Sequence, residues 1–374
     1  MKKSLIALAV LAASGAAMAQ SSVTLFGIVD TGVSYVSNAD GGNGSNYGMH
    51  TSGNATSRLG LRGTEDLGGG LKAGFWLEGE IFGDDGNASG FNFKRESTVR
   101  LSGNFGEVRL GRETTPTFRA GLKYDMFGAT GIGQNMGYQD WTMSGLTPAE
   151  LENAKGIADG NTIRKNNMLS YSSPNFSGFT ANISYAFDEK AGATIVDETG
   201  ASLSLGGKAG RYVGGNVGYD NGPLSVTAAY GTLSYGAAGD RDEMSIGASY
   251  NFGVAKVAGL AQQIKYKPEL GSSAKFNNYL LGVSAPVGGV GEVKLQYALY
   301  DQKAADTKAH QLSLGYVHNL SKRTAVYGTV AYLKNKEGSY MSLASKGVSN
   351  SIGLKDSGAA RNQTGVQVGI RHAF

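Results

Sequence analysis

The chain has no cysteine, only 6 prolines in 374 residues and only 4 histidines. After its first stretch it also has no long uninterrupted apolar run. Each shortage removes a class of protein. Without cysteine there are no disulfides, so an exported chain of this size needs another source of rigidity, and there is no thiolate for nucleophilic or soft-metal chemistry. His50, His310, His318 and His372 lack metal-ligand spacing. His310 and His318 fall on the apolar-side register of one strand and read as interface residues rather than ligands. The glycines Gly68–Gly70 lack the lysine and following helix of a phosphate cradle. With no catalytic arrangement in view, an enzyme, a cofactor and a metal site are not expected. The missing apolar runs exclude a helical membrane protein. A transmembrane barrel survives that test, because only every second residue of its strands must meet lipid.

The residues that are present point to export and to strands. Met1-Lys2-Lys3-Ser4 is basic, Leu5–Ala13 is apolar, and Ala17-Met18-Ala19 has the small residues of a cleavage site. Residues 1–19 therefore read as a signal peptide and 20–374 as one domain; a buried N-terminal helix is the weaker alternative. Charge falls from 34 basic against 30 acidic residues to a net of +2 once Lys2 and Lys3 are removed, which makes nucleic acid an unsuitable partner. Glycine is abundant at 58 residues, which suits many tight turns. The last ten residues place Val366, Val368, Ile370, His372 and Phe374 on one face and Gly365, Gln367, Gly369, Arg371 and Ala373 on the other. A strand apolar on one side needs pairing on both edges, and a closed barrel supplies it.

Seven short turn signals, at 67–70, 103–106, 173–178, 220–223, 251–253, 286–291 and 319–322, join seven pairs of strands. One strand at each end brings the count to sixteen, from 22–36 and 56–66 through to 323–336 and 363–374. Longer connections fall at 37–55, 83–91, 113–162, 189–208 and 337–362. Short turns on one rim and long loops on the other are the asymmetry of an all-β, 16-stranded antiparallel transmembrane barrel with periplasmic turns and external loops. Tyrosines cluster near the predicted strand ends, as at a membrane interface. In the strand over 71–82, Leu71, Ala73, Phe75, Leu77 and Ile81 alternate with Lys72, Trp76, Glu78 and Glu80. A charge facing lipid at mid-depth costs about 2–4 kcal/mol, so the charged set must line a watery interior.

That interior carries a row of bases. Arg58 and Arg62 are four apart on one face, Lys72 joins them from the next strand, Lys94 and Arg100 share a face with Glu96, and Arg112 ends the following strand. Arg164 and Arg371 come from other parts of the wall. The row reads as a basic ladder beside a passage, although each arginine could instead serve loop carbonyls or wall carboxylates. The connection 113–162 is too long for an ordinary loop. Its aromatics can pack on a wall, and its acids, among them Glu113, Asp125, Asp140, Glu150, Glu152 and Asp159, would face the bases across a narrow opening. An external lid is the alternative.

Several segments together resemble the general Gram-negative porins, specifically their betaproteobacterial branch. They are Ser22–Gly27 with Asp30, Ser57–Gly70, Phe105–Arg112, Tyr171–Gly178 and Val368–Phe374. The resemblance implies a homotrimer in the cell outer membrane, embedded in its lipids and lipopolysaccharide, with a pore in each monomer and the third external loop, here 113–162, folded inward as the constriction. It implies Arg58, Arg62, Arg100 and Arg112 as constriction bases with Asp125 opposite, and Phe374 as the signal read by the outer-membrane barrel assembly machinery. The function implied is passive diffusion of ions and small hydrophilic solutes, and the basic wall adds a weak anion preference. A substrate-specific channel and a barrel-anchored adhesin are the other readings.

Overall fold

The computed structural model describes residues 22–40, 44–86, 92–138, 163–188, 194–196, 202–204, 206–268, 273–303, 306–339, 341–343 and 361–374. Residues 1–19, expected to be a signal segment, and the loop residues 139–162 lie outside these. Sixteen antiparallel wall strands close into a barrel. They are β1 (Ser22–Asp40), β2 (Gly44–Thr51 and Arg58–Gly68), β3 (Leu71–Glu80), β4 (Glu96–Gly103), β5 (Gly106–Thr114), β6 (Arg164–Ser172), β7 (Phe179–Ala186) and β8 (Tyr212–Asn221). They continue as β9 (Leu224–Ser234), β10 (Asp240–Asn251), β11 (Lys256–Lys267), β12 (Ala274–Val287), β13 (Gly291–Gln302), β14 (Thr307–Asn319), β15 (Thr324–Lys336) and β16 (Gln363–Ala373). A small hairpin, Thr194–Val196 with Ser202–Ser204, stands apart from the wall.

Closure pairs β16 with β1, from Ile28 opposite Ala373 to Val36 opposite Gly365. The Phe374 backbone extends this ladder, exchanging hydrogen bonds of 3.0 and 3.2 Å with Gly27. Its ring lies across Gly27, where a Cβ would come within 2.2 Å of it. Leaving this position without a side chain lets the aromatic cover the seam of the barrel.

Alternation sets the two faces. On β14, Leu312, Leu314 and Tyr316 are exposed outward while Gln311, Ser313, Gly315 and Val317 turn in and are buried. Outward aromatics gather at both rims: Phe176, Phe179, Phe252 and Phe374 beside the short turns, and Tyr47, Phe187, Tyr279 and Tyr332 on the loop side. These are the two girdles of an outer-membrane barrel.

The first long connection differs from expectation. Residues 37–55 are mostly wall: β1 continues to Asp40, and Gly44–Thr51 pairs back onto it, Thr51 opposite Thr31 and Asn46 opposite Val36. Glycine, serine and asparagine make this segment read as a loop, but its inner face is pinned. His50 lies between Ser34 (2.8 Å) and Tyr327 (2.9 Å). Below Thr51 the chain leaves the wall over 52–57 and rejoins it at Arg58, opposite Ile28. This excursion turns inward because the buried Asp30 carboxylate accepts the backbone N–H groups of Gly53 (3.2 Å), Asn54 (2.8 Å) and Ala55 (2.6 Å), along with the Tyr327 hydroxyl.

Candidate functional site

The described part of the 113–162 connection lies inside the barrel. It begins with a short helix, α1 (Pro116–Leu122), started by Thr115, whose hydroxyl accepts from the Phe118 N–H, and by proline at the first turn. From there the chain follows the inner wall. Asn216 of β8 donates to the Pro116 carbonyl (2.8 Å), Tyr124 donates to Thr227 of β9 (2.9 Å), and Gln296 of β13 accepts from the Met126 N–H (2.8 Å). Further on, Gln367 of β16 accepts from Ile132 (3.2 Å) and Tyr300 from Met136 (2.8 Å). Side-chain amides and hydroxyls of the wall thus satisfy backbone groups that a buried loop would otherwise leave unpaired.

Inner-wall glycines make the seats. A Cβ on Gly247 would stand 2.1 Å from the Tyr124 ring, one on Gly282 2.5 Å from Met126, and one on Gly315 2.8 Å from Phe127. Ile132 and Met136 complete a dry cluster with Ile264, Phe276, Leu333 and Leu343. Each such side chain contributes about 1.5–3 kcal/mol by burial. The inner wall beneath the loop is therefore a packed core, as the aromatics of this connection lead one to expect, and the watery interior is confined to the rest.

The bases lie on the other side. Arg58 of β2 is 3.8 Å from Glu78 of β3, and Arg95, just before β4, holds the same carboxylate at 2.6 Å. Trp76 donates its indole N–H to Glu78 (3.1 Å). Lys94 lies 3.6 Å from Glu80. Arg164, at the start of β6, feels the charges of Arg95, Arg112, Glu80 and Glu78. One level down, Arg62 and Arg100 flank Trp76, and Arg100 pairs with Glu96. Lys72 is exposed nearer the turns, opposite Asp66 and Ser102. The structure therefore brings together Arg58, Glu78, Glu80, Arg112 and Arg164, places Arg62, Arg100 and Lys72 below them, and leaves Arg371 on the inner face of β16 beside Asp30 and Ala325.

Two assignments change. Asp125 does not face the basic wall: its buried carboxylate accepts the N–H groups of Phe127 (2.9 Å), Ala129 (3.0 Å) and Asn135 (3.0 Å), folding the loop on itself. Burial pushes its carboxyl above the ordinary aspartate value of 3.8, against the pull of these amides. Arg112 sits at a bulge following Gly111 (φ +132°) and donates to the Lys94 carbonyl and to Asn166, each at 2.6 Å, so it braces the segment carrying Arg95. Arg95 itself was missed, because extending the strand back to 92 put Lys94 inward and Arg95 toward lipid. The strand begins at Glu96, and alternation does not apply before it. Glu113, buried between Arg109 (3.1 Å) and Arg119, anchors the root of the loop. Its partners lie within six residues of it in sequence, but only the fold brings them round it. Asp140, Glu150, Glu152 and Asp159 lie outside the described residues. Among the described residues no group of His, Asp and Glu is placed to hold a metal.

The profile of the Gram-negative porins matches residues 5–338. The chain belongs to this family. Outer membrane porin protein 32 of Delftia acidovorans is 64% identical over 377 residues, spanning 100% of both chains. An outer membrane porin protein of Bordetella pertussis is 34% identical over 426 residues, again spanning both chains in full. Among solved structures, an anion-selective porin from Comamonas acidovorans superposes with a TM-score of 0.83 at 60% identity, covering 95% of this chain and 100% of that one. The protein is thus an outer-membrane barrel and a diffusion channel of the porin type.

Proposed function

We propose that this porin passes small hydrophilic solutes passively and favours anions, the narrowest passage lying between residues 113–138 and the wall of β2–β5. The observation that carries this reading is the sharing of one carboxylate, Glu78, by Arg58 and Arg95, because a single negative charge cannot neutralise two guanidinia. Arg62 adds a further positive charge below them. Arginine stays protonated at any working pH, so the field along this wall is permanently positive. The description of the Comamonas porin as anion-selective supports the same sign.

The protein works as a homotrimer among outer-membrane lipids and lipopolysaccharide, with Phe374 as its signal for the barrel assembly machinery. Likeness to the named porins supports the trimer, and the outward apolar and aromatic belts support the lipid setting. The reversal potential of the reconstituted protein in a salt gradient is the test. Chloride is expected to outrun potassium, and Arg58→Gln is expected to lower that ratio by about threefold. Cation preference in the unaltered protein would reject the assignment, and absence of any current would favour a barrel that only anchors a surface protein.

A further inference from the structure

Outward positive charge gathers on one arc of the loop-side rim. On β11 and β12, Ile264, Tyr266, Ala274 and Phe276 are buried inside the barrel, so Lys265 and Lys275, which alternate with them, point outward. On β14 and β15, Ala309, Leu333 and Asn335 are buried inside, so Lys308, His310, Lys334 and Lys336 point outward. Elsewhere on this rim the outward positions include Tyr35, Tyr47, Phe187 and Val213, exposed and uncharged, and Arg211, which Asp188 matches at 3.0 Å.

The lysines stand against one another. Lys265 is directly opposite Lys275, and the Lys303 N–H donates to the Lys275 carbonyl (2.8 Å), which sets three lysines side by side on adjacent strands. Lys308 is directly opposite Lys336, and His310 opposite Lys334. Like charges facing each other across a sheet destabilise it. Nearby acids relieve part of this: Lys267 pairs with Asp242 of β10, Lys303 with Asp301 (2.6 Å) and Lys308 with Glu337 (3.6 Å). Among the described residues Lys265, Lys275, Lys334 and Lys336 have no acid within ion-pair distance. An anion lying outside the wall would relieve the rest.

Height along the strands decides what that anion belongs to. Tyr279, Tyr297 and Tyr332 are exposed outward just below the lysines, and the Tyr297 hydroxyl meets His310 (2.7 Å). Such a girdle marks the membrane interface. Lys334 is the next outward position beyond Tyr332, about 7 Å further along β15, and Lys275 is two outward positions beyond Tyr279. The lysines are therefore at head-group level, above a wall that exposes Leu281, Leu312 and Leu314. A free anion could use the lysines alone, whereas a lipid uses the lysines and the apolar wall together. From β11 to β15 the arc spans about 19 Å, wide enough for two phosphates of one head group.

We propose that the outward loop-side rim of β11–β15 is a docking surface for an outer-leaflet lipid with two phosphates on its head group, one beside Lys265, Lys275 and Lys303 and the other beside Lys308, Lys334 and Lys336. The proposal rests on the reading of this barrel as set among outer-membrane lipids and lipopolysaccharide, and assigns that lipid to one arc of the wall. The folded porin in detergent would be titrated with diphosphoryl lipid A, with bound lipid counted by native mass spectrometry. Two triple variants, Lys265→Gln with Lys275→Gln and Lys303→Gln, and Lys308→Gln with Lys334→Gln and Lys336→Gln, should each raise the midpoint at least about tenfold. Both remove like-charge repulsion, so both should keep the compact mobility of the folded barrel and its reversal potential. Lys322→Gln with Arg323→Gln, at the turn-side rim, should leave the midpoint within about twofold. Monophosphoryl lipid A should bind at least about fivefold more weakly, and equal binding would overturn the two-phosphate assignment. Absence of binding by the unaltered protein would reject the lipid setting itself. Binding that both triple variants leave unchanged would keep that setting and overturn this arc as its place, and displacement by millimolar sodium phosphate would overturn the lipid as occupant.

Discussion

The two sides of the barrel interior solve opposite problems with the same strand geometry. Along β2–β4 the inward positions include Arg58, Arg62, Lys72, Glu78, Glu80, Glu96 and Arg100, most of them half-buried or exposed to the lumen. Along β11–β15 they include Leu260, Ile264, Leu280, Ala298, Tyr300 and Leu333, all buried. The second set is dry because the loop after β5 lies on it. Facing inward in a barrel is therefore not the same as facing water. Apolar inward positions mark where the loop is seated, and the half-buried charged ones of β2–β4 mark the side it leaves uncovered.

The difference can be tested by damaging one side at a time. The largest effect is expected from Arg95→Glu, which sets a second carboxylate beside Glu78 and leaves Arg58 outnumbered. The chloride-to-potassium permeability ratio should fall by about tenfold with little change in conductance. Gly247→Leu acts on the other side by filling the seat of Tyr124. It should push the loop into the passage and lower single-channel conductance by about half while the reversal potential stays put. If the two variants altered both quantities alike, the division into a seated wall and a conducting wall would be wrong.

Much of this was legible in the sequence, and the losses have physical reasons. Turn residues with fixed offsets gave all sixteen strands, because a tight turn is a local property of a few residues. The faces of β3 and β16 followed from strict alternation. The segment Gly44–Thr51 was lost because Tyr47 and Met49 are the only large apolar side chains on its outer face, and its stability comes from His50 meeting Tyr327, far away in the chain. Asp125 was misplaced for a related reason. Its charge is visible in sequence, but the three amides that enclose it appear only when the loop folds. The basic character of the wall was readable, but Arg95, which takes the shorter of the two contacts with Glu78, was not, because it precedes the strand whose alternation was being followed.

A smaller effect is expected near the closing seam, where the inward excursion 52–57 meets β15. The Tyr327 hydroxyl touches both the Asp30 carboxylate and His50, so Tyr327→Phe leaves a buried carboxylate one donor short. Loss of a hydrogen bond to a charged group costs about 1.5–3 kcal/mol. The temperature at which the folded barrel loses its compact mobility in detergent electrophoresis should drop, and an unchanged value would show that the amides of Gly53, Asn54 and Ala55 suffice to hold Asp30.

The smallest effect concerns pH and the seated loop. Burial raises the Asp125 carboxyl above its ordinary value of 3.8, so the seated loop binds the proton more tightly than a loose loop does. The stabilising contribution is therefore complete below that ordinary value and is lost as pH rises through the raised one. Acidification from neutral pH toward about 4 should reduce brief current fluctuations caused by loop excursions. Asp125→Asn, which is neutral throughout and keeps an acceptor oxygen for the amides, should hold the quiet behaviour at every pH. Fluctuations that still vary with pH in Asp125→Asn would assign the dependence to another group and leave the loop's hold on the wall to the Tyr124, Met126 and Phe127 seats.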